Sequence, residues 1–443
     1  MNKFYDAIII GGGPAGSTMA SKLAEKGQHV LVLEKAKFPR EHVGESLLPF
    51  LYHLFEELGV LDEMKARFSR KPGVTFSNID GTEASHWCFK HVIKDESGLS
   101  FHVRRAEFDD MLLQNSRKKG AEVMEEVSVQ KVDLDIDPNQ ATVYAENAQG
   151  EQLQFTGRMV VDASGQNTIL ATQMKTKKPF ESLTPRVAYS SHWENAKLTP
   201  ELAAGNIKIV HLEGEKMGWF WMIPLIDRLS VGVALNMSYA NQQRRILKET
   251  TTDWQAKLYE QELQESLVAQ EVLAGATRMG PVMANGDFSY YSSTKWGTNF
   301  VIVGDASGFL DPIFSSGIYL GMKSSLLVAE GITDMLGGNG TATIETAYSD
   351  IQGAYKLVEK LINTFYEPGS IKWDQAGSAF DLSYKKFETA YSILHLILAG
   401  DFFKNHAKYF KAIDILRTPQ KIEQYKHLIG HDEPTMEQRV CIA

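Results

Sequence analysis

Three short stretches of this 443-residue chain carry residue types at spacings that could do chemistry. Near the start, the β-branched run Ile8 to Ile10 enters Gly11-Gly12-Gly13-Pro14-Ala15-Gly16, a G-x-G-x-x-G. In such a turn Gly11 permits the tight bend, Gly13 lets backbone approach a pyrophosphate, and Gly16 allows a helix to pack on the sheet; free N–H groups at the helix start attract phosphate charge. Glu34 follows Gly16 by 18 residues, where a carboxylate can accept hydrogen bonds from a ribose diol. The second stretch, KMGWFWMIPL at 216–225, sets Trp219 and Trp221 on either side of Phe220 in a chain with seven tryptophans. The third, VIVGDASGFLDPIFSSG at 301–317, reads as a buried strand with Asp305 at its tip, then a Pro turn and a helix start whose N–H groups can hold an anion.

The surrounding pattern predicts elements that position these residues. A helix through Met19, Leu23 and Ala24 leads to a second strand, Val30 to Leu33, which completes a βαβ unit and makes the Gly-rich turn a dinucleotide site. VRRAEFDDMLL at 103–113 joins a strand end to a helix, VVDASG at 160–165 is a buried strand ending in a small-residue turn, and a helix begins near Ser315 and runs to about Leu336. Residues 206–237 read as a three-stranded meander. Alternation along its middle strand puts Trp219, Trp221 and Ile223 on one face and Phe220 and Met222 on the other. Core packing is the ordinary fate of such tryptophans. RKPGVTF opens a strand after a helix expected over VGESLLPF, and Lys71 by its residue type alone is a solvated lysine before a Pro-Gly turn.

Bulk properties bound the rest. With 43% hydrophobic residues the chain can bury a large core in two or three lobes, and a net charge of −9 argues against a general nucleic-acid binder. Cys88 and Cys441 are the only cysteines and form no CxxC pair, so neither a disulfide framework nor a cysteine-based metal site is expected. No metal site of another kind is expected either. A reducing compartment is the default on that basis. The start lacks a signal-peptide layout and the longest helical apolar run, Ile393 to Ala399, is too short for a membrane span, so a cytoplasmic location is expected.

Taken jointly, the G-x-G-x-x-G, VRRAEFDDMLL, VVDASG and VIVGDASGFLDPIFSSG segments resemble the FAD-binding monooxygenase superfamily, the fold of p-hydroxybenzoate hydroxylase, over residues 1 to about 336. The resemblance implies an α/β fold: a discontinuous Rossmann-like FAD-binding domain (1–75, 100–180 and 290–336), an antiparallel β-sheet substrate domain (76–99 and 181–289) and a helical C-terminal region (337–443). It implies that Asp305 holds the ribityl chain and that Arg105 and Arg40 lie along the flavin. The cofactor-binding set it marks is Gly11, Gly13, Pro14, Ala15, Gly16, Glu34, Lys35, Arg40, Ser46, Arg105, Asp162, Gly304, Asp305, Pro312 and Gly317.

Trp219 to Pro224 matches W-x-W-x-I-P, which together with G-x-G-x-x-G resembles the flavin-dependent halogenases, and Lys71 matches the lysine of K-x-G-x-x-F in those acting on pyrroles and phenols. That resemblance implies an enzyme using FADH2, O2 and chloride or bromide to make hypohalous acid. Trp219 and Trp221 would shape the passage beside the flavin, and Lys71 would aim the halogen, as a hydrogen-bonding ammonium or as a haloamine. Ser316 and Gly317 would offer backbone groups to the halide, with Ser315 or Ser316 also serving as a helix N-cap. Free-tryptophan halogenases carry a glutamate where Phe314 stands, so the resemblance points to electron-rich pyrroles or phenols, free or tethered to a carrier protein, and to a separate flavin reductase. No general base is identified. From Lys385 to Lys426 there are eight Lys or Arg against four Asp or Glu, either a solvated helix face or a surface for an acidic carrier. The alternatives are an FAD-dependent reductase of the geranylgeranyl reductase kind, an aromatic monooxygenase, or a flavin-binding protein without catalysis.

Overall fold

The computed structural model describes residues 3–137, 139–286, 289–367, 373–374, 390–416 and 441. Its first sheet has seven strands. β1 (Phe4–Ile10) lies between β2 (Val30–Leu33) and β10 (Gln152–Asp162), both parallel to it. β7 (Glu122–Met124) extends the sheet beside β2, while β18 (Phe300–Ile302) runs parallel to β10. An antiparallel flap of β9 (Gln140–Asn147) and β8 (Val127–Asp137) completes it. The register explains how distant motifs meet. Ile10 pairs with Leu33 and with Asp162, and Asp162 pairs with Ile302. The Gly-rich turn, Glu34, the ASG turn and the GD turn therefore all leave the sheet at one edge, the carboxyl edge where open α/β sheets bind ligands.

Four long helices flank this sheet: α1 (Pro14–Glu25), α2 (Arg105–Lys118), α3 (Gly317–Leu336) and α4 (Ala342–Tyr366). α1 starts on Pro14 and packs against the turn so closely that a Cβ on Gly16 would lie 1.9 Å from the Gly11 carbonyl oxygen. Gly11 itself has φ +102°, and a Cβ there would meet the Ala163 oxygen at 2.4 Å. Only glycine satisfies both positions.

The second sheet also has seven strands, ordered β16 (Thr277–Gly286), β12 (Arg186–Glu194), β15 (Leu229–Asn236), β14 (Gly218–Pro224), β13 (Ile207–Leu212), β4 (Gly73–Ser77) and β5 (Ala84–Cys88). The expected meander is β13–β14–β15, antiparallel throughout. Its faces divide as alternation requires. Trp219, Trp221 and Ile223 join the core shared with the helices, whereas Phe220 and Met222 join a separate cluster behind the sheet. Two small sheets remain: a ribbon of β3 (Ser69–Lys71) with β6 (Ser100–His102), and β11 (Lys177–Pro179) with β17 (Tyr290–Ser292) and β19 (Gly308–Phe309).

Two expectations are corrected. VGESLLPF is no helix: residues 43–48 run as an extended strap, and a 3-10 turn (Pro49–Leu51) precedes the helix Tyr52–Leu58. Gly44 sits at φ +104° and Leu48, restricted by the following proline, is extended at φ −108°, ψ 149°. Cys88 and Cys441 form a disulfide across 353 residues, a pairing invisible to local spacing, and it runs against the reducing-compartment default. Between the C-terminal helices α5 (Ala390–Ala399) and α6 (His406–Leu416), Phe402 and Phe403 pack on Tyr319 of α3 with ring centroids 5.8 and 5.6 Å away, and Tyr409 of α6 is buried. Of the basic run, Lys404, Lys408 and Lys411 are exposed, while residues 385–389 and 417–426 lie outside the described residues. Among the described residues, no helix is long and apolar enough to cross a membrane.

Candidate active site

A cavity of about 440 Å³ opens at the carboxyl edge of the first sheet and reaches the indole face of the second. Gly11, Gly13, Pro14, Ala15, Glu34, Lys35, Arg40, Ser46, Arg105, Gly304, Asp305, Pro312 and Gly317 line it on the nucleotide side, and Trp219, Trp221, Ile207 and Ile223 supply apolar wall. Gly16, Asp162, Ser316 and Lys71 do not line it. The carboxylate of Asp162 is used inside its own turn, accepting from the Ser164 N–H at 3.0 Å and the Leu170 N–H at 2.7 Å. Its role here is to shape the ASG turn beneath the cavity.

The nucleotide-side charges are held rather than loose. Glu34 accepts from the Gly12 N–H at 2.7 Å and the Ala36 N–H at 2.8 Å, which fixes the carboxylate against the Gly-rich turn. Arg105 makes a two-pronged bond to Asp109, at 2.8 and 2.9 Å, and donates to the Val43 carbonyl at 2.6 Å; Arg40 reaches the same carboxylate at 3.0 Å. One fully buried aspartate thus orients both arginines toward the cavity, a planar fork-to-fork match. Asp109 was not singled out from the sequence; its four-residue spacing from Arg105 on a helix was the available signal. Burial pushes the Asp305 carboxyl up to about 6, with Arg105 pulling the other way. Glu45, also on the strap, lines the cavity and contacts His192 at 2.5 Å, a pairing between segments 147 residues apart that only the fold reveals.

The two indoles lie 5.4 Å apart at 45°. Trp221 lies over Gly232 on the neighbouring strand, where a Cβ would come within 2.1 Å of its ring, and its N–H reaches Ser230 at 3.3 Å. Behind them Asp311 accepts from Tyr366 at 2.8 Å and from the Ile313 N–H at 3.2 Å, beside a buried Arg186 3.6 Å away that stacks on the Tyr366 ring. This network anchors the DPIFSSG turn. Pro312–Phe314 forms a 3-10 turn, Ser315 adopts φ +55°, and α3 begins at Gly317 with Ser316 at its N-cap; neither serine side chain caps the helix. Phe314 packs among Phe76, Phe365 and Trp373, with centroids 6.4, 6.3 and 5.3 Å away, an apolar setting.

Lys71 is the outcome least expected from residue type. It is 2% exposed, its amine donates to the Leu47 carbonyl at 3.0 Å, and it lies 5.5 Å from the centre of the Phe89 ring. Burial pulls its pKa down to about 7. The strap separates it from the cavity by a single residue step, since Ser46 lines the cavity and Leu47 receives the amine.

These residues fit FAD. The Gly-rich turn leaves room for a pyrophosphate at Gly13, fixed arginines face the cavity, flat apolar wall is available for a ring system, and the Ser46 hydroxyl is buried with no partner among the described residues.

Comparison with known proteins agrees with this geometry. A sequence model described as tryptophan halogenase matches residues 6–102 and 83–376. The chain is 32% identical over 384 residues to a tryptophan 2-halogenase of Chondromyces crocatus, covering 86% of this chain and 71% of that protein. It is 29% identical to a 1H-pyrrole-2-carbonyl-[peptidyl-carrier protein] chlorinase of Pseudomonas fluorescens, covering 82% of each. Among solved structures, the flavin-dependent brominase Bmp2 superposes with a TM-score of 0.78 at 26% identity, over 96% of this chain and all (100%) of that one.

Proposed function

The chain belongs to the tryptophan halogenase family, whose members are FAD-dependent enzymes, and from that premise we propose that it halogenates an electron-rich pyrrole or phenol through Lys71. When bound in its reduced form, FAD would supply two of the four electrons that O2 takes up, the chloride or bromide supplying the other two, so that one oxygen atom leaves as water and the other in hypohalous acid. The residues of this chain do the rest. Arg40, Arg105 and the Gly-rich turn bind and orient the cofactor, and the backbone at Gly317, which lines the cavity where α3 begins, holds the halide at the positive end of that helix. Trp219 and Trp221 keep bulk water from the electrophile. Lys71, as its ammonium, then holds hypohalous acid by a hydrogen bond; as the new carbon–halogen bond forms, the halogen–oxygen bond breaks and the oxygen leaves as water with a proton from the ammonium, after which the ring C–H bond breaks and its released proton balances the one the ammonium gave up.

The observation that carries this reading is the buried amine of Lys71, poised near neutral pH one residue behind the cavity wall. A surface lysine would offer neither the desolvation nor the adjacency. The apolar setting of Phe314 favours rings that need no carboxylate to stabilise the arenium ion, as expected of pyrroles and phenols. A relative named for a carrier-bound pyrrole supports a tethered substrate, and exposed Lys404, Lys408 and Lys411 suit an acidic carrier. Reduced flavin is assigned to a separate reductase.

The test is bromination of a panel of free phenols, free pyrroles and a carrier-tethered pyrrole with FAD, a flavin reductase, NADH and bromide, followed by mass spectrometry. Wild type should give brominated products and Lys71→Ala none, while NADH consumption continues. An FAD-dependent reductase or monooxygenase would instead turn over equally well with Ala at position 71 and without bromide.

A further inference from the structure

Lys71 has a polar setting that its proposed role does not use. In the β3–β6 ribbon Lys71 faces Ser100 and Ser69 faces His102, so alternation puts these four side chains on one face; Arg70 and Phe101 stack on the other at 4.6 Å. Ser46 of the strap bridges to His102. Three polar atoms from these segments, Ser46 Oγ, Ser100 Oγ and His102 Nδ1, are buried without a hydrogen-bond partner among the described residues. Native interiors leave only a few such atoms per hundred residues, and three of them on adjoining segments ask for a functional explanation.

The tautomer of His102 follows from its other nitrogen. Nε2 lies 2.8 Å from the Gly205 carbonyl, which can only accept, so Nε2 carries the hydrogen and Nδ1 presents a lone pair. The ammonium form of Lys71 has three hydrogens, of which the Leu47 carbonyl takes one. We propose that His102 is a positioning residue for Lys71: its Nδ1 lone pair accepts from one water, held also by Ser100, that takes a hydrogen bond from the Lys71 ammonium, and so aims the amine and retains its proton. This rests on the reading of Lys71 as the halogen-transferring residue.

The electrostatics agree. Burial, then the Lys71 charge, pull His102 down to about 3, while burial draws Lys71 down to about 7, so between those values the imidazole stays neutral and the charge sits on Lys71. Other charged or titratable groups on the elements packed here are directed elsewhere. Glu45 of the strap is turned to His192, Arg70 to Glu96, and His91, after the Phe89 that stacks on Lys71, lies against His395 at 5.5 Å.

The experiment is a pH titration of the Lys71 13Cε resonance in FAD-free protein with 13C-labelled lysine, the signal assigned by its loss in Lys71→Met. In His102→Leu the Lys71 midpoint should fall by about one unit or more, since a hydrogen-bond acceptor for a charged donor has been removed. His102→Gln, whose amide oxygen can accept, should recover most of the shift, and the alkaline limb of the halogenation pH profile, where the Lys71 ammonium loses its proton, should move with the midpoint. An unchanged midpoint in a His102→Leu protein that still folds and binds FAD overturns the proposal. Should that variant not fold, the imidazole 15N shifts of wild type and Lys71→Met decide: a pyridine-type Nδ1 that moves as Lys71 titrates is expected, and identical profiles overturn the proposal. If Lys71→Met still halogenates, the role of Lys71 fails on that assay alone, while the titration continues to report on the His102 contact.

Discussion

Replacing Lys71 by methionine should make the protein more stable near neutral pH while removing its halogenating activity. The lysine is fully buried and its pKa is drawn from 10.5 to about 7 by desolvation. A group that titrates lower in the folded than in the unfolded chain binds fewer protons when folded. Stability therefore rises with pH between the two values, the cost of the charge being complete below the folded value and gone above the unfolded one. The drop from 10.5 to about 7, at about 1.36 kcal/mol for each pH unit, gives a penalty of roughly 5 kcal/mol below pH 7. Methionine fills a similar volume without a charge to desolvate. The assay is denaturant unfolding of both proteins from pH 6 to 10.5. The difference between them should be flat below pH 7 and close progressively above it. Parallel curves across the whole range would show that the amine is solvated in the folded state, and the argument for a buried amine poised near neutral pH would be refuted with it.

Other substitutions separate positions that look alike in the sequence. Gly11→Ala forces a Cβ onto the Ala163 carbonyl at a left-handed φ and should cost at least ~2 kcal/mol of stability, seen as a fall in Tm without cofactor. Gly13→Ala meets nothing closer than Arg40 at 3.7 Å, so Tm should hold while FAD affinity, measured by flavin fluorescence, drops about tenfold or more. Gly232→Ala should push the Trp221 ring from its seat and cut halogenation at least about tenfold with FAD binding retained, read from kcat in the bromination assay. Cys441→Ser should lower Tm and abolish the two-dalton mass difference between oxidised and thiol-reduced protein; loop entropy alone sets a ceiling of ~5 kcal/mol for so long a closure.

What could be read from the chain before folding was whatever depends on neighbours in sequence. The βαβ unit around Gly11 to Glu34 and the split of Trp219 and Trp221 from Phe220 follow from strand alternation and turn chemistry, and the folded protein has both. The strap was misjudged because its apolar residues suggest a helix, whereas Gly44 at positive φ and the leucine before Pro49 forbid one. Asp162 shows the reverse error: it stands at a ligand-binding edge, yet its oxygens are consumed by the N–H groups of Ser164 and Leu170. The partners of Arg186, Glu45, His102 and Cys88 are set by the packing of one sheet against another, and no pattern within a window of residues contains that information.

The strand β14 is a party wall. Its indoles face the catalytic side, while Phe220 and Met222 are embedded in an independent hydrophobic room with Leu258, Tyr259 and Val268. Tyr259 even donates to the Val231 carbonyl on the adjoining strand. Changes of volume in that rear room would tilt the tryptophans without any substitution touching reactants. An engineer seeking new acceptor rings could therefore tune this enzyme from behind its reaction chamber and leave every reactive group in place.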